Sequence, residues 1–390
     1  MTILYIDPSS GSVLINLIIS IFLSIGYYFR ELLYFKVEKK EYYKIAIFSE
    51  GNNYYTTFYP LVTELINQKT RFIYYTFDIN DKILDINSEF IELRYIGFKF
   101  NRSIKFMSIE SDYLISTTPN IGNKNYFLKR PRKVKKLAHI FHSISDISYY
   151  KKGSLDSYDI IYMVGLFQKK SIDLIYGDSE KKKLLYNIGL PYFDFYFQKN
   201  KDNKKVEIEK DQVLLAPSWG EKGFLDKINY ELIESLSEFK VVIRPHPQSF
   251  LSEKESIDKL YRVISKFENC YLDESNDFYE TLSKSRILVS DTSSIRFDFS
   301  FLFQRPVITI KNEDIDFSSF EFDLLKTHWD IDKSNIIGKE ILIDEIKNLK
   351  NIINELNKIS LTKNIKKLKN ETISNIGNSS KEILNLISQS

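Results

Sequence analysis

A chain of 390 residues with 43% hydrophobic and 27% charged residues is long enough for two domains with separate cores, and its composition excludes disordered and collagen-like classes. A formal net charge of +3 is too small for whole-molecule nucleic-acid binding, so any contact with a polyanion must be local. The single cysteine, Cys270, excludes an intrachain disulfide framework, and without Cys/His pairs at ligand spacing no structural zinc site is expected.

The first feature along the chain is an uncharged stretch from Ser9 to Phe29, containing SVLINLIISIFLSIGYYF. As a helix rising about 1.5 Å per residue it reaches roughly 30 Å, the thickness of a bilayer's hydrocarbon core. No Lys or Arg precedes Arg30, so the positive start of a cleaved signal peptide is missing. The expectation is one retained N-terminal transmembrane helix. With its basic flank (Arg30, Lys36, Lys39, Lys40) it occupies residues 1–40, and the flank puts the rest of the chain on the cytoplasmic side. Ser12, Asn16, Ser20 and Ser24 form a polar stripe on that helix, and a buried core or interfacial helix is the alternative.

Beyond it, KIAIFSE predicts a buried strand and YYTTFYPLVTELIN the helix behind it, with Gly51-Asn52-Asn53 turning between them. Further strands are predicted at 71–77, 112–117, 136–142 and 159–165. The charged segment 198–212 reads as a linker. A second series follows: VLLAPSWG, KVVIRPHP, CYLDE, RILVSD and PVITI, separated by helical segments. Alternation of this kind predicts an α/β fold of two doubly wound, Rossmann-like domains, residues 41–197 and 213–337, facing a cleft. Residues 338–390 read as a helical tail packing across the domains.

Three motifs fall at strand ends. In LVSDTSSIRFDF (288–299) a strand gives way to an apolar helix, placing Ser290, Asp291, Thr292, Ser293 and Ser294 at a helix start, where free N–H groups and the dipole attract phosphate. Asp298, one turn on, is placed to accept hydrogen bonds from ribose hydroxyls. Plain helix capping selects the same residue types. In VIRPHPQ (242–248) two prolines fix the backbone around His246, and Arg244 is a candidate phosphate ligand. In AHIFHSISD (138–146) His142 is the histidine expected to reach the cleft, and His139 is assigned a structural role. Neither histidine spacing supports a metal pair.

RPHP followed by SDTSSIRFDF resembles the CDP-glycerol glycerophosphotransferase family, the teichoic-acid primases and polymerases of bacterial cell walls. LLAPSWG, with Ser218, resembles the loop opening that family's second domain, and NIGLPYFDFY (187–196) its Gly-x-Pro-x-x-Asp segment. Phe141-His142-Ser143-Ile144 stands where the family usually has a Trp-His-Gly-Thr-like sequence, and Gly220-Glu221 follows Trp219 where it often has Arg. The resemblance implies a GT-B-like fold, with the first domain on the acceptor side and the second binding the nucleotide. It also implies association with the bacterial plasma membrane and transfer of glycerol phosphate from CDP-glycerol to a hydroxyl of a lipid-linked or polymer acceptor. In that reaction His142 or His246 is the general base, Arg244, His246 and the helix start at Ser293 stabilise the breaking diphosphate, and no cofactor is needed. The basic run KRPRKVKK (129–136) is a candidate contact for anionic headgroups or for a phosphate-bearing acceptor. A GT-B nucleotide-sugar glycosyltransferase of capsule synthesis and a catalytically silent membrane scaffold are the competing readings. No nucleic-acid partner is expected.

Overall fold

The computed structural model describes residues 19–22, 26, 41–98, 101–177, 182–202, 208–209, 211–220, 223–275, 277–311, 318, 320–321 and 328–389. Most of the expected anchor, Ser9 to Phe29, its basic flank to Lys40 and the middle of the expected linker lie outside the described residues. Among the described residues no helix is long and apolar enough to cross a membrane. Residues 43–390 form one compact unit.

That unit contains two wholly parallel sheets. The first comprises β1 (Ile45–Ser49), β2 (Phe72–Thr76), β3 (Ile91–Tyr95), β4 (Glu110–Ser116), β5 (Lys133–Ile140), β6 (Ile160–Met163) and β7 (Leu184–Asn187), in the order β3-β2-β1-β4-β5-β6-β7. The second comprises β8 (Gln212–Leu215), β9 (Lys240–Ile243), β10 (Cys270–Leu272), β11 (Ile287–Ser290), β12 (Val307–Lys311) and β13 (Gly338–Leu342), in the order β10-β9-β8-β11-β12-β13. Every residue of β1, β2, β8 and β11 is buried, which explains why these strands read as continuous apolar runs: helices cover both faces. In each sheet the strand order reverses once, between β1 and β4 and between β8 and β11. Ligands of open parallel sheets bind outside the carboxyl ends of the strands at such points.

β3, β7 and β13 were not expected from sequence, and all three sit at sheet edges with mostly half-exposed residues. An edge strand has one neighbour and one wet side, so it needs no apolar run to announce it. β13 corrects the reading of residues 338–390 as helical from the outset: residues 338–342 pair with β12 from Val307↔Gly338 to Lys311↔Leu342.

The rest of the tail crosses between domains. The helix Leu349–Leu356 adds Leu349, Ile352, Ile353 and Leu356 to the second domain's core. Thr362–Thr372 places Ile365 and Leu368 in the cluster shared by both domains, and Ser379–Ser388 places Ile383, Leu384 and Ile387 against the first sheet. The Gly-x-Pro-x-x-Asp segment receives this crossing. Gly189, at φ +96°, has the Ser374 carbonyl where a Cβ would lie 2.2 Å away. Asp194 accepts hydrogen bonds from the backbone N–H of Gly377 (2.5 Å) and Ser379 (2.8 Å) at the start of the last helix.

Candidate functional site

At the β8/β11 reversal, two loops are wired together from below. Ser290, fully buried at the end of β11, donates to the Ala216 carbonyl at 2.5 Å. Asp291, also buried, accepts the backbone N–H of Ser218 at 2.7 Å and of Phe224 at 3.1 Å. Both residues therefore shape the platform. Above them Ser218 and Thr292 bring their hydroxyls within 3.4 Å of each other. Ser293 and Ser294 are likewise half-exposed at the start of the helix Ile295–Phe303, and Ser294 makes no side-chain cap. A helix start without its usual cap, rimmed by hydroxyls, is suited to an anion.

His246 stands beside this cradle, its ring 6.3 Å from that of Trp219. Its Nδ1 accepts the Gln248 backbone N–H at 3.1 Å, so the neutral ring carries its proton on Nε2 and offers it as a donor. Burial, aided by the neighbouring Arg244 charge, lowers its pKa and favours that neutral form. Arg244 itself is engaged elsewhere. Its guanidinium pairs with Asp273 at 2.6 Å and holds Ser275 Oγ at 3.1 Å and the Ser275 carbonyl at 2.8 Å, tying the end of β9 to the end of β10.

His142 comes from the first domain, in the loop after β5. Burial holds its imidazole down at about 4, and His246 facing it from the second domain adds to the effect. The ring packs edge-on against Tyr54, centroids 5.2 Å apart, and its Nδ1 is buried without a hydrogen-bond partner. A neutral imidazole with a free nitrogen is able to take a proton. His139 points away into the core, fully buried, with Nε2 3.0 Å from the Tyr150 hydroxyl and Phe141 and Tyr158 against its ring.

Asp298 lies inside rather than on the rim. It is 4% exposed, contacts Tyr192, and burial raises its carboxyl to about 7. The position one turn after Ser294 turns it toward the helix Pro191–Asp202, away from the place expected for a ribose.

Sequence reasoning missed Arg296 and Asp330. Arg296 is 2% exposed and reaches Asp330 Oδ2 at 3.1 Å, Ser334 Oγ at 3.0 Å and the Ser293 carbonyl at 2.9 Å. Asp330 also accepts the Tyr149 hydroxyl at 2.6 Å. A guanidinium within the apolar run IRFDFSFLF was the available signal: it must find a partner or not be buried.

The basic run 129–136 extends through the first half of β5, whereas His142 follows the strand's end, so at about 3.3 Å per residue Lys133 lies roughly 23 Å from Ile140 at that end. Arg130 pairs with Asp159 (2.6 Å), Lys133 with Glu110 (2.8 Å) and Lys135 with Asp112 (2.5 Å). Lys133 and Lys135 stay exposed.

Residues 154–326 match the family model described as CDP-Glycerol:Poly(glycerophosphate) glycerophosphotransferase. A curated relative, the teichoic acid poly(glycerol phosphate) polymerase of Bacillus spizizenii, is 28% identical over 145 residues, which are 33% of this chain and 35% of the relative; the match thus spans about a third of that protein. The solved wall teichoic acid polymerase TagF superposes with a TM-score of 0.57 at 15% identity, over 89% of this chain and 88% of that one. The UDP-GlcNAc 2-epimerase of Methanocaldococcus jannaschii gives 0.54 at 13% identity, over 89% and 99%. At these identities the likeness is one of fold, a GT-B-like pair of parallel α/β domains.

Proposed function

We propose, from the premise that this chain is CDP-glycerol glycerophosphotransferase-like in the sequence of residues 154–326 and in fold, that it moves glycerol phosphate from CDP-glycerol to an acceptor hydroxyl and releases CMP. The observation carrying this reading is the hydroxyl-lined helix start at the β8/β11 reversal with His246 beside it and His142, from the first domain, near enough to feel the charge of His246.

The chemistry follows from the groups present. The acceptor oxygen attacks the phosphorus bearing glycerol, the bridging P–O bond breaks, and CMP leaves with the electron pair. His142 takes the proton of the attacking hydroxyl. An imidazole held near 4 is a weak base, but the negative charge of a bound diphosphate favours its protonated form and raises it toward the working range. His246 Nε2–H, the hydroxyls of Ser218, Thr292, Ser293 and Ser294, and the dipole of the helix beginning at Ile295 stabilise charge on the leaving phosphate. Ser290 and Asp291 hold that surface in shape.

The product in this reading is a teichoic-acid or capsule-like cell-surface polymer, and the acceptor is a polymer or lipid-linked chain. Association with the cytoplasmic face of the bacterial plasma membrane is supported by the uncharged stretch from Ser9 to Phe29 with its basic flank, and by the exposed lysines of the run 129–136. Full-length protein should then sediment with membranes, and a chain starting at residue 41 should lose most of that association.

The deciding experiment incubates the full chain with CDP-glycerol or UDP-sugars and a hydroxyl-ended oligo(glycerol phosphate), and follows nucleotide release. CMP release dependent on the oligomer supports the proposal. Turnover of a UDP-sugar with none of CDP-glycerol would replace it with a glycosyltransferase.

A further inference from the structure

The first sheet also has a strand-order reversal, and the loop after β1 borders a cavity of about 300 Å³ there. Its walls include Glu50, Asn52, Asn53, Tyr54 and Asp78, with Phe77. Tyr54 is shared: it lines this cavity, and its ring packs on His142. The cavity is therefore next to the group proposed to take the acceptor's proton.

Its chemistry is that of hydrogen-bond acceptors. Glu50 is held by the Tyr126 hydroxyl at 3.0 Å, and Asp78 receives the backbone N–H of Asn52 at 3.1 Å and of Asn80 at 2.9 Å. Gly51 lets the loop close on Asp78. At φ +154° its backbone passes so near that an added Cβ would lie 2.7 Å from the Asp78 Cβ. The two carboxyls and the Asn53 amide offer lone pairs to hydroxyl donors, the Asn52 amide oxygen being taken by the Lys82 backbone N–H at 3.2 Å, and the carboxylates repel a phosphate at close range, an effect that the Arg102 charge near Glu50 offsets in part. About 300 Å³ equals on the order of ten water volumes, ample for a glycerol or a sugar ring.

We propose that this cavity is the subsite for the acceptor's terminal unit, and that it takes an uncharged polyhydroxyl end, glycerol or sugar, while rejecting a phosphate end. The subsite rests on the transferase reading for its acceptor, yet its selectivity is measurable without turnover. Discrimination comes from Glu50 and Asp78, and Asn53, exposed at the rim, adds a contact.

The test is calorimetry of the full chain with three probes of equal length: an oligo(glycerol phosphate) ending in glycerol, the same oligomer ending in phosphate, and one ending in an N-acetylhexosamine. CDP-glycerol is titrated into the same preparations. Wild type should favour the better hydroxyl-rich end over the phosphate end by at least roughly tenfold, the size of one charged hydrogen bond. Comparison of the two hydroxyl-rich probes identifies which polyol fits. Glu50→Gln keeps the shape and the Tyr126 contact but removes the charge, so it should shrink that preference several-fold by admitting the phosphate end. Asn53→Ala should weaken the hydroxyl-rich ends alone. Equal binding of both kinds of end by wild type, or an unchanged preference in Glu50→Gln, overturns the subsite. Loss of the preference in Glu50→Gln in a protein that ignores CDP-glycerol would keep the subsite and remove the proposed donor.

Discussion

Tyr149, seven residues after His142, donates a 2.6 Å hydrogen bond to Asp330 in the second domain. The same carboxylate oxygen receives Arg296 Nη2 at 3.1 Å, and Arg296 Nε holds the Ser293 carbonyl at 2.9 Å. A polar chain thus connects the loop bearing the proposed base to the loop proposed to hold the donor phosphates. Its charged pair is almost fully buried, at 3% and 7% exposure. Trp329, beside Asp330, packs on Phe167 of the first domain and Phe297 of the second, which keeps water from the chain.

Because both charges are buried, removing one strands the other. Arg296→Met should cost about 3–5 kcal/mol, whereas Tyr149→Phe, which leaves the ion pair intact, should cost roughly 1.5–3 kcal/mol. Urea unfolding measures both. In a cycle with Tyr149→Phe and Asp330→Ala, the double variant should cost less than the sum, since both changes delete the same hydrogen bond.

Asp298 makes stability depend on pH in a stated direction. Its folded pKa of about 7 lies above the ordinary aspartate value of 3.8, so between those pH values the folded state holds a proton that the unfolded chain has lost. That contribution is full below the lower value and is lost as pH rises through about 7. Thermal unfolding of Asp298→Asn against wild type should therefore show the variant gaining relative stability from pH 5 to pH 8. A difference in melting temperature independent of pH would mean that the carboxyl is not buried as described.

His142→Ala should lower kcat by roughly 10²–10⁴ with CDP-glycerol affinity nearly unchanged, the effect of removing a general base. His246→Ala should lower kcat and also weaken donor binding. Since kcat/KM reports the free enzyme, its acid limb in wild type should fall well below 6.5, toward about 4, while the limb in kcat lies higher because bound diphosphate favours the imidazolium. Circular dichroism of both variants checks that the fold survives.

Asp194→Ala removes the carboxylate that accepts two N–H groups at the start of the last helix, and should cost about 1–2 kcal/mol. Hydrogen exchange should show the loss concentrated in residues 373–389, with β8–β12 little changed.

The central strands were legible because burial on both faces writes an unbroken apolar run, as in β1, β2, β8 and β11. Two α/β domains and polar motifs at strand ends follow from that pattern and from the residues interrupting it. His142, His246 and Thr292–Ser294 were singled out this way, since no apolar core needs such residues where a buried strand ends, and Ser218 came in through the family resemblance of LLAPSWG. Strands β3, β7 and β13 were not legible, because their edge positions leave most residues half-exposed, whereas β10, also at an edge, showed as a short CYL run between two helical segments.

What sequence determined by itself is the alternation of elements and the residue types gathered at strand ends, both set by local periodicity and turn chemistry. Tertiary structure alone decided how each polar group is used. Arg244 went to Asp273 and Asp298 went into the core, while Arg296, Asp330 and Tyr149 came from separate segments into contact. The physical reason is that a buried charge takes the nearest partner able to offset its lost hydration, and nearness across more than a hundred residues is a property of the fold.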